Sequence, residues 1–598
     1  MANFLAVLDP NGDRRSAYIK SITPQIAPVP GLVTRSLASH DLVVVWAANP
    51  QAPISCESDT DEITVIWGDA IPPGAYQRIN AAELQRKWHG EPSTYPAFDG
   101  YYAALTYHAQ QGMTVGADLL GFFPIYYYSS QDVVLVGSSP ELFRHHPLVQ
   151  PQFNPQALVS ILMLQSLIGG QTLWNGVQRL GAGNLLVWHP ESSLQEVQQY
   201  RIPCFQAQVE QAGYDKLSFD EQLECLDAAL DQAIARHAPA SDRCSFLFSG
   251  GLDSRMLAGY LHRHGASPLA ITLGNSSDLE MECAKTVARR LGFEHRQASV
   301  PLSKYPHYAD LMVRWEQLAT GPYGVTGVDW DSASYLQQAP NRVMTGFVMD
   351  RVICGTRTAS GAFAANFARS NKKSLPVPTL QRLLRPDIAK FIPETIAYLE
   401  EDYNRYSDLE FQQAWSFSLY YQNRFGVASK AWRFSFGGWP ILPVLDQQLL
   451  AIASVMPAAT TSQRRAQRAL VKTRFPDLAR LPLDHNAFNV EPLLSDGDRH
   501  RLRPLQTLQQ HWHKVQQRLG YERRYYYRIF SINNAGWRKI RQQVEPYRQT
   551  VSDLFNTDVL NELLPPPHKP IPLQSDVIIE SLRLQMLLCF LLWANKNL

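Results

Sequence analysis

Residues 243–255 read Arg-Cys-Ser-Phe-Leu-Phe-Ser-Gly-Gly-Leu-Asp-Ser-Arg, and Met256, Leu257, Tyr260 and Leu261 follow at helical spacing. A short apolar run, two adjacent glycines and a helical pattern predict a strand, a tight turn and a helix start. Gly250 and Gly251 lack the Cβ atoms that would block close approach of the backbone to a phosphate. A turn that delivers the chain to a helix N-terminus offers unpaired N–H groups and the positive end of the helix dipole to an anion. Ser249 and Ser254 add hydroxyl donors. Asp253 is out of place beside a phosphate unless a cation lies between them, and this points to Mg2+.

The Ser-Gly-Gly-Leu-Asp-Ser run resembles the pyrophosphate-binding loop of the asparagine synthetase superfamily, which includes asparagine synthetases, β-lactam synthetases and lasso-peptide cyclases. No Gly-Lys-Ser/Thr follows, so it is unlike a Walker loop. Three earlier stretches carry the same resemblance. Asp99-Gly100-Tyr101-Tyr102-Ala103-Ala104-Leu105 is similar to the Gly-x-Phe-Ala-Phe-Ala strand of the family's glutaminase domain. Residues 116–127, Gly-Ala-Asp-Leu-Leu-Gly-Phe-Phe-Pro-Ile-Tyr-Tyr, resemble its Arg-Asp-x-x-Gly-x-x-Pro-Leu-Tyr-Tyr. Residues 171–183, Gln-Thr-Leu-Trp-Asn-Gly-Val-Gln-Arg-Leu-Gly-Ala-Gly, resemble its closing Thr-Leu-Phe-x-Gly-Ile-x-x-Leu-x-x-Gly. The resemblance implies an α/β protein in two parts. An N-terminal antiparallel β-sandwich of the glutaminase-like (Ntn) type would occupy residues 1–200, and 201–217 would be a linker. An ATP-pyrophosphatase domain would fill 218–598, with a parallel-sheet nucleotide core to 365 and a mostly helical part from 366.

The local patterns agree with that division. Phe4–Leu8, Leu42–Trp46, Ile63–Trp67, Tyr101–Tyr107 and Val133–Gly137 are short β-branched or aromatic runs between Gly, Pro and Asp signals, and predict stacked antiparallel sheets. Ser218-Phe219-Asp220-Glu221 is a capping box, followed by Leu223, Leu226, Leu230 and Ile234 on one helical face. Leu269–Leu273 and Arg342–Met344 predict further strands, so helix–strand alternation implies a parallel sheet. Beyond 375 the spacing is helical. Residues 439–446, Trp-Pro-Ile-Leu-Pro-Val-Leu-Asp, resemble the family's Arg-x-Pro-Phe-Leu-Asp and read as a packing feature. Residues 523–528, Arg-Arg-Tyr-Tyr-Tyr-Arg, read as an interdomain or partner surface in preference to a base-stacking one.

The resemblance also implies roles for residues. Ser249, Gly250, Gly251 and Ser254 would hold pyrophosphate, with Leu247, Leu273, Gly274, Thr345 and Gly346 beside the nucleotide. Asp253 and Asp350 would share Mg2+. The family's catalytic Lys aligns with His485, a weaker cation at neutral pH; Arg465, Arg468 and Lys472 are nearby basic alternatives. Three departures stand in the 345–351 stretch. Phe347 replaces a Glu or Tyr that handles the nucleophile, Val348 replaces a Gly, and Arg351 replaces an acid. His295 reads as a strand-end residue without a catalytic part. The family's glutaminases use a Cys exposed by removal of Met1, whereas Ala2 stands here and has no nucleophilic atom. Nothing near Cys56 supplies a base in its stead.

Lys+Arg 55 against Asp+Glu 54 gives a net charge of +1, which argues against general nucleic-acid affinity. The seven cysteines form no CxxC pair, so neither a zinc site nor a disulfide framework is expected. The start lacks a secretory pattern, and Leu584–Trp593 is too short to span a bilayer, so a cytoplasmic chain with a buried C-terminal helix is expected. The expected activity is an ATP-dependent, AMP-forming carbon–nitrogen ligase. It would join a small-molecule or peptide carboxylate to an amine through an acyl-adenylate, without glutaminase activity. A lasso-type macrolactam cyclase, with a precursor peptide and its protease as partners, is one form of it. A nucleotide-binding scaffold and an ammonia-using asparagine synthase are the alternatives.

Overall fold

The structure is a computed structural model describing residues 2–598, apart from 239–243, 327, 337–338, 355–361, 485–489, 494–500, 502–503, 506, 509–510, 513–514, 516–522 and 574–576. His485 therefore lies outside the described residues, as does Gly355.

Twelve strands build two six-stranded antiparallel sheets over the first 198 residues. One sheet contains β1 (Ala2–Leu8), β2 (Val33–Ser39), β3 (Leu42–Ala48), β8 (Tyr126–Ser129), β9 (Val134–Gly137) and β10 (Gln178–Arg179), in the order β10-β8-β9-β1-β3-β2. The other contains β4 (Ile54–Ser58), β5 (Glu62–Gly68), β6 (Tyr102–His108), β7 (Gly112–Ala117), β11 (Asn184–Trp188) and β12 (Gln195–Gln198), in the order β12-β11-β7-β6-β5-β4. The sheets meet through aromatic residues: Phe4 stacks on Trp67 at 4.3 Å, and Trp46 meets Trp67 edge-on at 6.0 Å. Buried Asp118 ties the 118–123 turn together by accepting backbone N–H groups from Leu120, Phe122 and Phe123. This is the stacked antiparallel architecture that the strand pattern predicts. Helices Gly12–Ile22, Ala81–Lys87 and Pro155–Leu164, which that pattern did not signal, interrupt it.

The expected linker contains a short helix, Gln206–Ala212. The capping box then forms as read. Ser218 Oγ accepts the Glu221 N–H, and Glu221 accepts the Ser218 N–H, opening the helix Phe219–His237.

The second sheet system is five-stranded and parallel. It contains β13 (Ser245–Leu247), β14 (Leu269–Leu273), β15 (His295–Ala298), β16 (Arg342–Thr345) and β17 (Trp439–Ile441), in the order β15-β14-β13-β16-β17. β17 corrects the reading of residues 439–446 as packing alone: Trp439-Pro440-Ile441 is an edge strand, a place where the missing proline N–H is tolerated. Asp446 then caps the helix Gln447–Val455.

Buried ion pairs hold the two parts together. Arg236, at the end of the Phe219–His237 helix, donates to Asp99 of the first part and to Asp446, each at 2.6 Å. Arg342 of β16 reaches Asp69. The helix Val577–Asn597 is long and apolar enough to cross a membrane, and most of it is buried in the fold. Its Trp593 packs against Trp174 and Phe153 and donates to Gln317.

Candidate active site

Open parallel sheets place ligands beyond the carboxyl ends of their strands, where the strand order reverses. Here the chain runs from β13 outward to β14 and β15, then returns to add β16 on the other side of β13. A cleft of about 320 Å3 lies at that reversal. It is lined by Leu247 at the end of β13, Thr272 and Leu273 of β14, Thr345 at the end of β16 and Gly346 just after it.

The loop after β13 gives the cleft its donors. Ser249 and Ser254 hydroxyls lie 3.1 Å apart, and the Gly251 N–H donates to Ser249 Oγ. Gly251 is the N-cap of the helix Leu252–Arg263, so the free N–H groups of that helix start here. Gly250 serves a different purpose from the one its sequence suggests. Its φ is +68°, and a Cβ there would sit 2.4 Å from the backbone nitrogen of Ala284. The residue lets the helix Leu279–Leu291 pack against the loop from behind, and neither glycine lines the cleft. Gly274, expected beside the nucleotide, is likewise absent from the lining. It leaves room for Asp278, whose carboxylate accepts the Asn275 N–H and an Arg528 guanidinium, 2.6 Å each.

Asp253, in the first turn of the loop helix, and Asp350, after β16, both line the cleft. Arg464 stands between them, with Nη2 2.9 Å from Asp350 and Nη1 3.7 Å from Asp253. Desolvation, and then the neighbouring Asp350 charge, push the Asp253 carboxyl up to about 6. Arg351 adds a second guanidinium 3.7 Å from Asp350, whereas Asp253 keeps the longer Arg464 contact and a Gln467 amide. Two carboxylates with the Ser249 and Ser254 hydroxyls are hard oxygen donors of the kind Mg2+ takes.

Sequence reasoning missed Arg464, although it pointed to its neighbour. Arg465 is exposed, stacked over Phe219 at 4.1 Å and turned away from the cleft. It also missed Lys430, on the helix Ser429–Phe434. Lys430 lines the cleft, burial lowers its pKa, and it makes no ion pair among the described residues. A lysine in the run Val427-Ala428-Ser429-Lys430 carries no motif that could have marked it.

The 523–528 run corrects its own reading. It does sit at an internal interface, with Arg523 on Glu282 and Arg528 on Asp278. Yet Tyr525 and Tyr526 form a wall of the cleft, and Tyr526 stacks on Phe530 at 5.9 Å. Phe347 also lines the cleft and packs on Phe434. Val348, where the family has Gly, is buried with φ +66°, a conformation costly for a β-branched residue. Arg351 lies beside Asp350 at 3.7 Å and lines a different cavity, so it gives the cleft no phosphate contact. His295 hydrogen-bonds Thr272 at 2.9 Å and does not line the cleft. In the first part, Cys56 is exposed on the edge strand β4.

Comparison with known proteins agrees with this geometry. The family described as Glutamine amidotransferase domain matches residues 83–201, and the family described as Asparagine synthase matches residues 225–326. The chain is 26% identical over 146 residues to a Putative asparagine synthetase [glutamine-hydrolyzing] of Mycobacterium tuberculosis, covering 24% of this chain and 22% of that protein. It is 27% identical over 143 residues to the Carboxyethyl-arginine beta-lactam-synthase of Streptomyces clavuligerus, covering 22% of this chain and 26% of that one. It thus spans about a quarter of the length of the curated relatives it matches. The paired domain matches, in this order along the chain and on this two-part fold, support the likeness to the asparagine synthetase superfamily.

Proposed function

We propose that the chain is an ATP-dependent, AMP-forming carbon–nitrogen ligase, with its nucleotide in the cleft after β13. The observation that carries this reading is the convergence of the Ser249–Ser254 loop, Asp253 and Asp350 at one strand-order reversal. The loop hydroxyls and the first N–H groups of Leu252–Arg263 would hold the pyrophosphate end of ATP. Asp253 and Asp350 would hold Mg2+, which supplies charge neutralisation for the phosphates. Tyr525 and Tyr526 offer the aromatic wall that suits a base.

The acid's carboxylate oxygen would bond to the α-phosphorus as the bond to the β-phosphate oxygen breaks, releasing pyrophosphate. An amine nitrogen would then bond to the acyl carbon as AMP leaves with the shared electron pair and the nitrogen gives up a proton to solvent. Lys430 is placed to steady the phosphate charge of that leaving group, the part assigned by resemblance to His485. Phe347 offers neither a proton acceptor nor a donor, so it would shield the acyl group from water.

Within this reading, Ala2 on β1 favours ammonia or an amine carried by the substrate over glutamine as the nitrogen source. A macrolactam cyclase acting on a precursor peptide released by a protease, and a small-molecule amide synthetase, are its two forms. A second reading, a nucleotide-binding scaffold, is favoured by Arg464 bridging both carboxylates and by Phe347.

ATP–pyrophosphate exchange separates the two. The ligase exchanges label when a panel of amino acids, amino dicarboxylates and short peptides includes its acid, and Asp253→Ala abolishes the exchange. Exchange that survives Asp253→Ala removes that residue from the mechanism. ATP binding without exchange across the panel favours the scaffold.

A further inference from the structure

A second cavity, of about 410 Å3, opens between the end of the N-terminal part and the helical layer. It shares no lining residue with the nucleotide cleft. Four arginines lie in its wall, and two of them, Arg179 from β10 and Arg424 just after the π-helical turn Ser418–Asn423, are buried, 1% and 8% exposed. Arg179 Nη2 donates to the Gly121 carbonyl at 3.2 Å, and Arg424 Nε donates to the same oxygen at 3.1 Å. Another Arg424 nitrogen reaches the Leu180 carbonyl. The Arg179 guanidinium lies over the Phe425 ring at 4.6 Å, and its Nε and Nη1 are buried with no hydrogen-bond partner. Neither arginine makes an ion pair among the described residues.

The acids that line the same cavity are engaged. Glu196 accepts the Tyr127 hydroxyl at 2.9 Å, the Gly181 N–H at 3.0 Å and the Asn184 amide at 2.6 Å. Asp402 accepts the Tyr406 hydroxyl at 2.8 Å and the Tyr421 hydroxyl. The Tyr200 hydroxyl, also in the lining, is buried without a partner among the described residues.

Two guanidinium groups held side by side away from water repel each other and forfeit hydration, and Glu196 and Asp118 offset this for Arg424 only from beyond ion-pair distance. Burial, and then the Arg179 charge, push Arg424 down to about 10. A fold that keeps such a pair is completed by a ligand that brings the negative charge. Planar guanidinium forks match carboxylate and phosphate oxygens, and an orphan hydroxyl adds a donor.

We propose that this cavity binds a small anion bearing a carboxylate or phosphate group, held by Arg179 and Arg424 with the Tyr200 hydroxyl as a third donor. The site is separate from the nucleotide cleft, but one stretch of chain borders both. Tyr420, Tyr421, Arg424 and Phe425 face the anion cavity, whereas Val427, Lys430 and Phe434 face the cleft. The bound anion would tie β10 to that stretch.

Calorimetric titration of the full chain with inorganic phosphate, with succinate and with uncharged succinamide tests this. One or both anions bind and succinamide does not; which anion binds tells a phosphate ligand from a carboxylate one. Arg179→Met weakens binding about tenfold or more, and Ser249→Ala, in the other cleft, leaves it unchanged. Should Arg179→Met fail to fold, Arg424→Lys and Tyr200→Phe serve in its place, each weakening binding several-fold. Absence of binding by both anions, equal binding of succinamide, or loss of binding in Ser249→Ala with retention in the cavity variants overturns the proposal.

Discussion

The two halves of the molecule set their ion pairs in different surroundings. At the boundary of the N-terminal part the paired carboxylates are buried: Asp99 and Asp446 share Arg236, and Asp69 faces Arg342 and Arg78. In the cleft of the second part, Asp253 and Asp350 stay partly exposed beside Arg464, Asp253 is shifted towards its neutral form, and Lys430 makes no ion pair among the described residues. Ion pairs closed off from water hold a structure together, whereas charged groups left at a cleft wall can meet a ligand. The first arrangement reads as a scaffold, the second as a site.

The largest expected effect tests the scaffold side. Arg236→Met leaves Asp99 and Asp446 buried without their cation and should cost about 3–5 kcal/mol of folding stability, measured by chemical denaturation. A loss below about 1 kcal/mol would show that this boundary is not held by charge.

On the site side, Asp253→Asn should lower exchange activity by about 10²–10³-fold while raising the stability of the ligand-free protein. The sign follows from the shift. The folded pKa of about 6 lies above the ordinary aspartate value, so the carboxyl favours folding at low pH. That contribution is lost as pH rises through about 6. Metal-dependent ATP affinity should run the other way, rising with pH until Asp253 is ionised near 6 and then levelling off. A flat profile between pH 5 and 7 contradicts the assignment.

Lys430→Met should reduce the rate about 10–100-fold, as expected for removing a charge-assisted hydrogen bond, with little change in ATP affinity. An unchanged rate removes Lys430 from the chemistry. The smallest effect is expected at Val348→Gly. Relief of the left-handed strain offsets the lost apolar burial, and stability should change by no more than about 1 kcal/mol. A larger loss means that the side chain packs better than its backbone suggests.

What could be read beforehand follows the range of the interactions. The strand, double-glycine turn and helix around Ser249 are encoded within a dozen residues, and so is the Ser218–Glu221 capping box. Both appear in the structure as read. The antiparallel runs before residue 200 were equally local. The cleft's other contributors come from far along the chain: Arg464 meets Asp350 from 114 residues away. Tyr525 and Tyr526 close the cleft because Arg523 and Arg528 anchor their helix on Glu282 and Asp278, a tertiary match that no periodicity encodes. β17 was hidden for another reason. Three residues containing a proline make a poor strand signal until an edge is there to receive them. Gly250 shows a residue correctly singled out for a partly mistaken cause, since its missing Cβ faces a helix and not the cleft.

The central claim is that the turn after β13 seats ATP with a cation between Asp253 and Asp350. Its most direct test is calorimetric titration of ATP, with and without Mg2+, into the wild-type chain and Asp253→Asn. The account predicts Mg2+-dependent binding that weakens at least tenfold in the variant. Equal affinity in both proteins, or binding indifferent to Mg2+, would contradict it.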